Sequence, residues 1–383
     1  MADYDKRGGR AAEDPAPHRL RGRALAPDLA RGFMLLFIAL VNAQFFLTGP
    51  DTVTSFADRV VALTQLSLVN SRAIPLFSLL FGYGLVQLLR GLEAKNEGWA
   101  RTRGLFRRRA AWMLAIGFAH GALLLPVDII GAYGLALLVF VGLVRARDAT
   151  LLWVSGAVVA ASIAFMVTPA LLLPPETGGA ISAPSLEMRS YALATIARAA
   201  EWLIYTPMTL LTIVLPPLLW GVWAARRRIL EDPARHRALL TRTAVLGLGV
   251  AVAGGLPYAL VEAGAELPGR VPAMLGVLHT VTGWAGGLGW AALIALVAVA
   301  AERHRGRLTR AVEAVGQRSM TCYLTQSLVF VPLLAPYGLG LGATLSVSGA
   351  AFVGTCTWGL TLVLASLLRR WGYRGPAESL VRR

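Results

Sequence analysis

Apolar residues in this chain come in long blocks separated by short polar connections. The blocks fall near 32–49, 72–90, 108–125, 128–144, 150–173, 202–224, 243–261, 277–300, 320–335 and 345–368. Most run to roughly 17–25 residues, enough for a helix to cross about 30 Å of hydrocarbon. A helix satisfies its own backbone polar groups, each of which would cost several kcal/mol unpaired in lipid. The residue-by-residue alternation of a membrane β-barrel is absent. The pattern predicts an all-α polytopic transmembrane bundle of about ten spans, forming one membrane domain over 23–383. Residues 1–22 are polar and charged without an apolar core, so they read as a mobile cytoplasmic tail rather than a cleaved signal, and the first span reads as a signal anchor.

Composition agrees with the blocks. Of the 383 residues, 56% are hydrophobic and 15% charged, whereas a soluble domain carries about 25% charged residues. The net charge of +16 raises the question of nucleic-acid partners, and the placement of the charge answers it. Counted from a cytoplasmic N-terminus, 32 of the 37 Lys and Arg fall on one side; the other holds only Arg59, Arg72, Arg189, Arg198 and Arg270. That asymmetry is the positive-inside rule, repeated at each connection, and it predicts that both termini are cytoplasmic. No basic stripe with interleaved stacking aromatics suggests nucleic acid.

The larger connections are 91–107, 174–200 and 225–242. The stretch Pro174 to Gly179 opens the second with turn residues, and 186–201 is expected to form a helix on the membrane surface before Trp202 and Tyr205 anchor the next span. Cys322 and Cys356 both fall in spans and read as small buried filler, with no disulfide or metal-ligand spacing. No short-period repeat is present.

Ionisable residues inside spans are costly and mark places to look for function. Asp28 and Arg31 are three apart, so they share a helix face at the cytoplasmic end of the first span; Asn42 and Gln44 lie further along it. In Asn70-Ser71-Arg72-Ala73-Ile74-Pro75, Asn70 or Ser71 can cap a helix and Pro75 fits its first turn. Arg72 opposes both the charge bias and the helix dipole, so it should be paired, with an internal carboxylate or with an anionic ligand. His120 stands roughly 17 Å along its helix from Arg109, and the connection to the next span is short enough to hold Asp128 beside it. Such a pair is either a satisfied hydrogen bond or a general base with its orienting carboxylate. His279 precedes the run Gly283 to Gly289, which permits close helix packing. Tyr323, Gln326 and Ser327 can share one helix face. There is no P-loop, HExxH, Cys/His cluster or GxSxG elbow, and no metal site is expected.

Several of these segments resemble the YeiB-like family of bacterial inner-membrane proteins, whose domain has no assigned function. They are Asp28-Leu29-Ala30-Arg31-Gly32 with Asn42; Arg72 and Pro75 through Gly84; Arg108-Arg109, Gly117, His120, Asp128-Ile129-Ile130 and Tyr133; Gly316, Met320, Thr321, Tyr323-Leu324 and Gln326-Ser327; and Gly375-Pro376-Ala377-Glu378, where Ala377 replaces a Leu. That family is in turn similar to membrane-bound acyltransferases that acetylate sugars, including the heparan glucosaminide acetyltransferases. The resemblance implies acyl transfer from cytoplasmic acyl-CoA, as co-substrate rather than bound cofactor, to an envelope glycan, lipid or small molecule on the other side. It makes His120 the reacting residue, Asp128 its orienter and Arg72 a charge stabiliser. Asn42, Gln44, His279, Tyr323 and Gln326 become candidates for substrate binding, and Asp28 with Arg31 a cytoplasmic motif. A multi-span exporter and a non-catalytic membrane component are the alternatives; an exporter predicts broken helices around a midplane site, for which the glycine run and Pro216-Pro217 are the hints.

Overall fold

The structure, a computed structural model, describes residues 24–50, 52–172 and 183–382. The expected tail over 1–22 and the turn Pro174 to Gly179 lie outside the described residues. Within them the chain is all α. Its helices are α1 Leu25–Gln44, α2 Phe56–Leu68, α3 Ala73–Glu93, α4 Trp99–Leu123, α5 Ile129–Phe140, α6 Asp148–Leu172, α7 Tyr191–Thr209, α8 Leu215–Arg226, α9 Arg237–Glu262, α10 Val271–Arg303, α11 Arg307–Gln317, α12 Ser319–Leu334, α13 Val347–Arg370 and α14 Pro376–Arg382.

Seven helical segments among the described residues are long and apolar enough to cross a membrane, with α2–α3 and α7–α8 counting as one each. Ile129–Arg145 and Ser319–Leu334 are apolar but shorter. The remaining expected span falls on α4, whose first half carries Arg101, Arg103 and Arg107 to Arg109. Large apolar side chains such as Trp153, Leu172, Val245 and Phe352 point outward, the inverse of a soluble surface and suited to lipid. Burial ranks the helices: 72% of the apolar window of α1 is inside the bundle, against 17% for α6 and 22% for α13. Accordingly α1 packs against α3, α10, α11, α12 and α13 at the centre. Arg31, Arg90, Arg109, Arg305 and Arg382 gather around one end of the bundle, called here the basic end.

The structure departs from the sequence expectations in four places. First, α2 was not expected, being short and only mildly apolar. Ser55 and Asp58 start it with a reciprocal capping box, and Asp58 also accepts from the Ser348 amide and hydroxyl at 3.0 and 2.6 Å, tying α2 to the start of α13. From there α2 descends until the Leu68 carbonyl accepts from Trp290 Nε1 of α10 at 2.7 Å. Second, the turn into α3 is not capped by Asn70 or Ser71. Arg72 occupies the cap position without a side-chain cap, Ser71 takes a left-handed φ of 61°, and Asn70 turns its amide to Gln44. Thus α2 and α3 form one broken crossing. Third, the surface helix expected over 186–201 is instead a short 3-10 turn at Pro184–Leu186 followed by α7, which runs straight on into the span. The break comes later, as a π turn at Leu210–Val214. Pro216 and Pro217 follow it; neither can donate to the carbonyl four residues back, and the backbone widens there instead. Fourth, Cys322 is buried but Cys356 is exposed.

Candidate functional site

The connection Leu124 to Asp128 brings α4 and α5 back to back, and the contact is closest at glycines. A Cβ on Gly117 would stand 2.4 Å from the Gly131 nitrogen, and one on Gly121 would stand 2.2 Å from the Trp202 ring. Through this contact Asp128 does two things at once. It is the N-cap of α5, accepting from the Gly131 amide, which satisfies one of the donors left open at a helix start. Its other oxygen meets His120 Nδ1 at 3.0 Å. The imidazole's remaining nitrogen, Nε2, meets Ser327 Oγ of α12 at 2.8 Å. All three side chains are buried. A carboxylate can only accept, so Nδ1 carries the proton, and Nε2 then offers its lone pair to the serine hydroxyl. Asp128, His120 and Ser327 form a carboxylate–imidazole–hydroxyl line, an arrangement recognised by geometry rather than by sequence order.

Neighbouring elements hold that line. The Trp202 indole approaches Asp128 at 3.5 Å. Arg198, fully buried, donates to the Ala122 carbonyl at 2.8 Å and to the Tyr337 hydroxyl at 2.8 Å; it caps the C-terminal end of α4, where a cation suits the dipole. Burial raises the Tyr337 hydroxyl's pKa, and the Arg198 guanidinium lowers it. Glu201 accepts from the Ser185 amide at 3.0 Å and hydroxyl at 2.5 Å, anchoring the segment before α7.

Two adjoining cavities run from the basic end toward this line, and neither is lined by its three residues. An open vestibule of about 980 Å³ is edged by Arg31, Arg90, Arg109, Arg305 and Arg382 together with Glu231, Glu302 and Glu378. It shares Arg31, Gly84, Leu88, Arg109 and Ser319 with an apolar crevice of about 230 Å³. The crevice continues between Phe77, Phe81, Ile129 and Tyr133 to Tyr323. The Tyr323 ring is its inner wall and lies 4.9 Å from the His120 ring, centroid to centroid. Tyr323 Oη and Asn42 Nδ2 face each other here without a well-formed hydrogen bond, and Gln326 Oε1, on the same helix, has no hydrogen-bond partner among the described residues. Buried polar groups are ordinarily satisfied, so this weakly met capacity is a mark of a ligand or water site.

Arg31 at the crevice mouth is paired with Asp28 at 3.1 Å and donates to the Leu80 carbonyl at 3.2 Å. Glu378 of α14 accepts from the Met320 and Thr321 amides at 2.8 and 3.1 Å and from the Thr321 hydroxyl at 2.5 Å. It thereby caps α12 from the far end of the chain, which explains the Gly375-Pro376-Ala377-Glu378 segment. Val381 of the same helix lines the crevice.

The candidate residues do not form one site. Arg72 is in a second cluster with His279 and a network from Gln44, Gln65 and Asn70. Its Nη1 donates to the Asn70 carbonyl at 2.6 Å and to His279 Nδ1 at 2.8 Å, and its Nη2 to the Ala251 carbonyl at 2.6 Å. The expected carboxylate partner is not there: the Asn70 carbonyl at the α2–α3 break, the Ala251 carbonyl of α9 and an imidazole nitrogen take its place. The glycine run makes room, since a Cβ on Gly286 would stand 2.5 Å from the Arg72 side chain. Gln44 and His279 therefore leave the His120 site, while Asn42, Tyr323 and Gln326 stay near it. Sequence reasoning placed Ser327 on the right face without a role, read Trp202 as an interfacial anchor where it is buried against Asp128, and named Arg198 and Tyr133 without giving them a part in the site. The one available signal was that Ser327 and Tyr323 are a helical turn apart.

The family model described as "Protein of unknown function (DUF418)" matches residues 224–383, the part that carries Ser327 and Glu378. The chain is similar to a protein of Bacillus subtilis (strain 168) named "Uncharacterized protein YxaH", 25% identical over 93% of this chain and 92% of the relative. It is also similar to an "Uncharacterized 39.9 kDa protein in amylase 3'region" of Bacillus acidopullulyticus, 34% identical over 24% of this chain and 26% of that protein.

Proposed function

We propose that this protein is a bacterial plasma-membrane acyltransferase that takes an acyl group from acyl-CoA at the basic, cytoplasmic end and passes it to a glycan, lipid or small-molecule hydroxyl reached from the other side. One observation carries the reading: a carboxylate-oriented imidazole lies behind the inner wall of an apolar crevice whose mouth is ringed by arginines. The chemistry fits each part in turn. Arginine forks suit the phosphates of a nucleotide carrier. The apolar crevice suits an acyl chain and its pantetheine arm. His120, with its Nε2 lone pair held outward by Asp128, suits a general base.

The test is thiol release from acyl-CoA by the purified protein in lipid nanodiscs, with His120→Ala and Asp128→Asn beside the wild type. Release that depends on His120 and starts only with donor on the basic side supports the reading. Release unchanged in His120→Ala removes its centre. An exporter is the second reading, favoured by the broken α2–α3 crossing and the buried Arg72 cluster, since discontinuous helices build transporter sites. Flux that is lost in Arg72→Met but kept in His120→Ala would select it.

A further inference from the structure

Many hydroxyls on the helices of this protein share one kind of partner. Ser78, Ser162, Thr212, Thr325, Thr355 and Ser366 all bond the carbonyl four residues earlier, the usual habit of serine and threonine inside a helix. Ser327 does not. Its hydroxyl is fully buried in mid-helix, yet it is turned to His120 Nε2 at 2.8 Å. The lone pair it meets is the one that Asp128 holds available by occupying Nδ1.

We infer that Ser327 is the nucleophile, and that the acyl group rests on it as an ester between donor and acceptor. This rests on the acyl-transfer reading and adds a covalent step. Ser327 Oγ attacks the thioester carbonyl carbon while its proton passes to His120 Nε2. The carbon–sulfur bond breaks, and the leaving thiolate takes that proton from Nε2, giving free CoA thiol and an acylated Ser327. An acceptor hydroxyl then attacks the ester carbonyl, again losing its proton to Nε2. The Ser327 oxygen leaves and recovers the proton, restoring the enzyme. No oxidant, reductant or further reactant is needed.

The surroundings provide for both the charge and the passage. Tyr323 Oη and Asn42 Nδ2 are donors that face each other without a well-formed bond, and the Tyr323 ring stands against the same imidazole that Ser327 binds. They are the candidates to steady the oxyanion of the tetrahedral intermediate. Tyr323, one turn before Ser327 on α12, lines the crevice and stands against the His120 ring, so the acyl carbonyl reaches Ser327 past it.

The experiment uses the full chain in nanodiscs with acetyl-CoA and a medium-chain acyl-CoA and no added acceptor, following thiol release and then mapping adducts by peptide mass spectrometry. The expected result is a burst of thiol close to one per protein and an acyl mass on the 319–334 peptide. Ser327→Ala should lose the adduct and slow thiol release by about 10³-fold or more. Ser327→Cys, which keeps a nucleophile of similar size, should keep a burst and carry the acyl group as a thioester cleaved by hydroxylamine. Thiol release by Ser327→Ala within about tenfold of wild type, or an acyl adduct on His120, would overturn the inference while leaving acyl transfer standing. No thiol release by wild type from either donor would overturn the inference, and no release even with a hydroxyl acceptor such as glycerol added would overturn acyl transfer as well.

Discussion

Substituting Asp128 separates its two roles. In Asp128→Ala the Gly131 amide loses its cap, worth about 1 kcal/mol, and the buried His120 Nδ1–H loses its acceptor, worth about 1–3 kcal/mol. The two add to roughly 2–4 kcal/mol of destabilisation, because the bonds run from different oxygens to different groups. Asp128→Asn behaves differently. Asparagine caps helices about as well as aspartate, so its single carbonyl oxygen stays with Gly131 and its amide faces His120 Nδ1. The imidazole answers by moving its proton to Nε2, which satisfies both contacts and keeps the destabilisation below about 1 kcal/mol. It also turns Nε2 from acceptor into donor toward Ser327. The equivalent change in a soluble serine triad lowers turnover about 10⁴-fold through the wrong tautomer, and a loss of about 10³–10⁴ is expected here. The assays are thermal unfolding in detergent, with variants compared at one scan rate because unfolding of such proteins is commonly irreversible, and thiol release from acyl-CoA. Asp128→Ala should fall several degrees below Asp128→Asn, and both should be inactive. Equal stability of the two would refute the capping role; turnover in Asp128→Asn would refute the tautomer argument.

Three other substitutions probe the supports. Arg72→Met strands the Asn70 and Ala251 carbonyls but also removes a buried cation; a net loss of about 2 kcal/mol is expected, read as a lower unfolding temperature with thiol release per folded molecule unchanged. Glu378→Ala uncaps α12 at a cost of about 1 kcal/mol and frees α14 from the crevice mouth. In a Cys356→Ser background it should speed maleimide labelling of the buried Cys322, and unchanged labelling would show that α14 stays docked without Glu378. Gly121→Ala would drive a methyl into the Trp202 ring and is expected to cost about 1–3 kcal/mol as overpacking while also displacing the indole from Asp128, so stability and thiol release should fall together.

Much of the architecture followed from the sequence because the signal is local. Whether a stretch of twenty residues belongs in hydrocarbon depends on the sum of its own transfer free energies, so each expected span met a helix. The Asp28–Arg31 and His120–Asp128 pairs were legible for a similar reason. Three positions on one helix, or eight across a tight hairpin, leave few ways for the side chains to miss each other. Little local marks α2 beyond its Ser55–Asp58 capping box; it is held by Asp58 on Ser348 and Leu68 on Trp290, partners far along the chain. Nor could the sequence say that Arg72 would be answered by carbonyls, one at the break before α3 and one on α9 far along the chain. The same holds for Ser327, 207 residues from His120. Which of many helical serines faces the imidazole depends on the rotation of α12 against α4, and that rotation is set by the packing of the whole bundle around α1. Local hydrophobicity determined that the helices would exist and span; only their packing against one another decided which side chains meet.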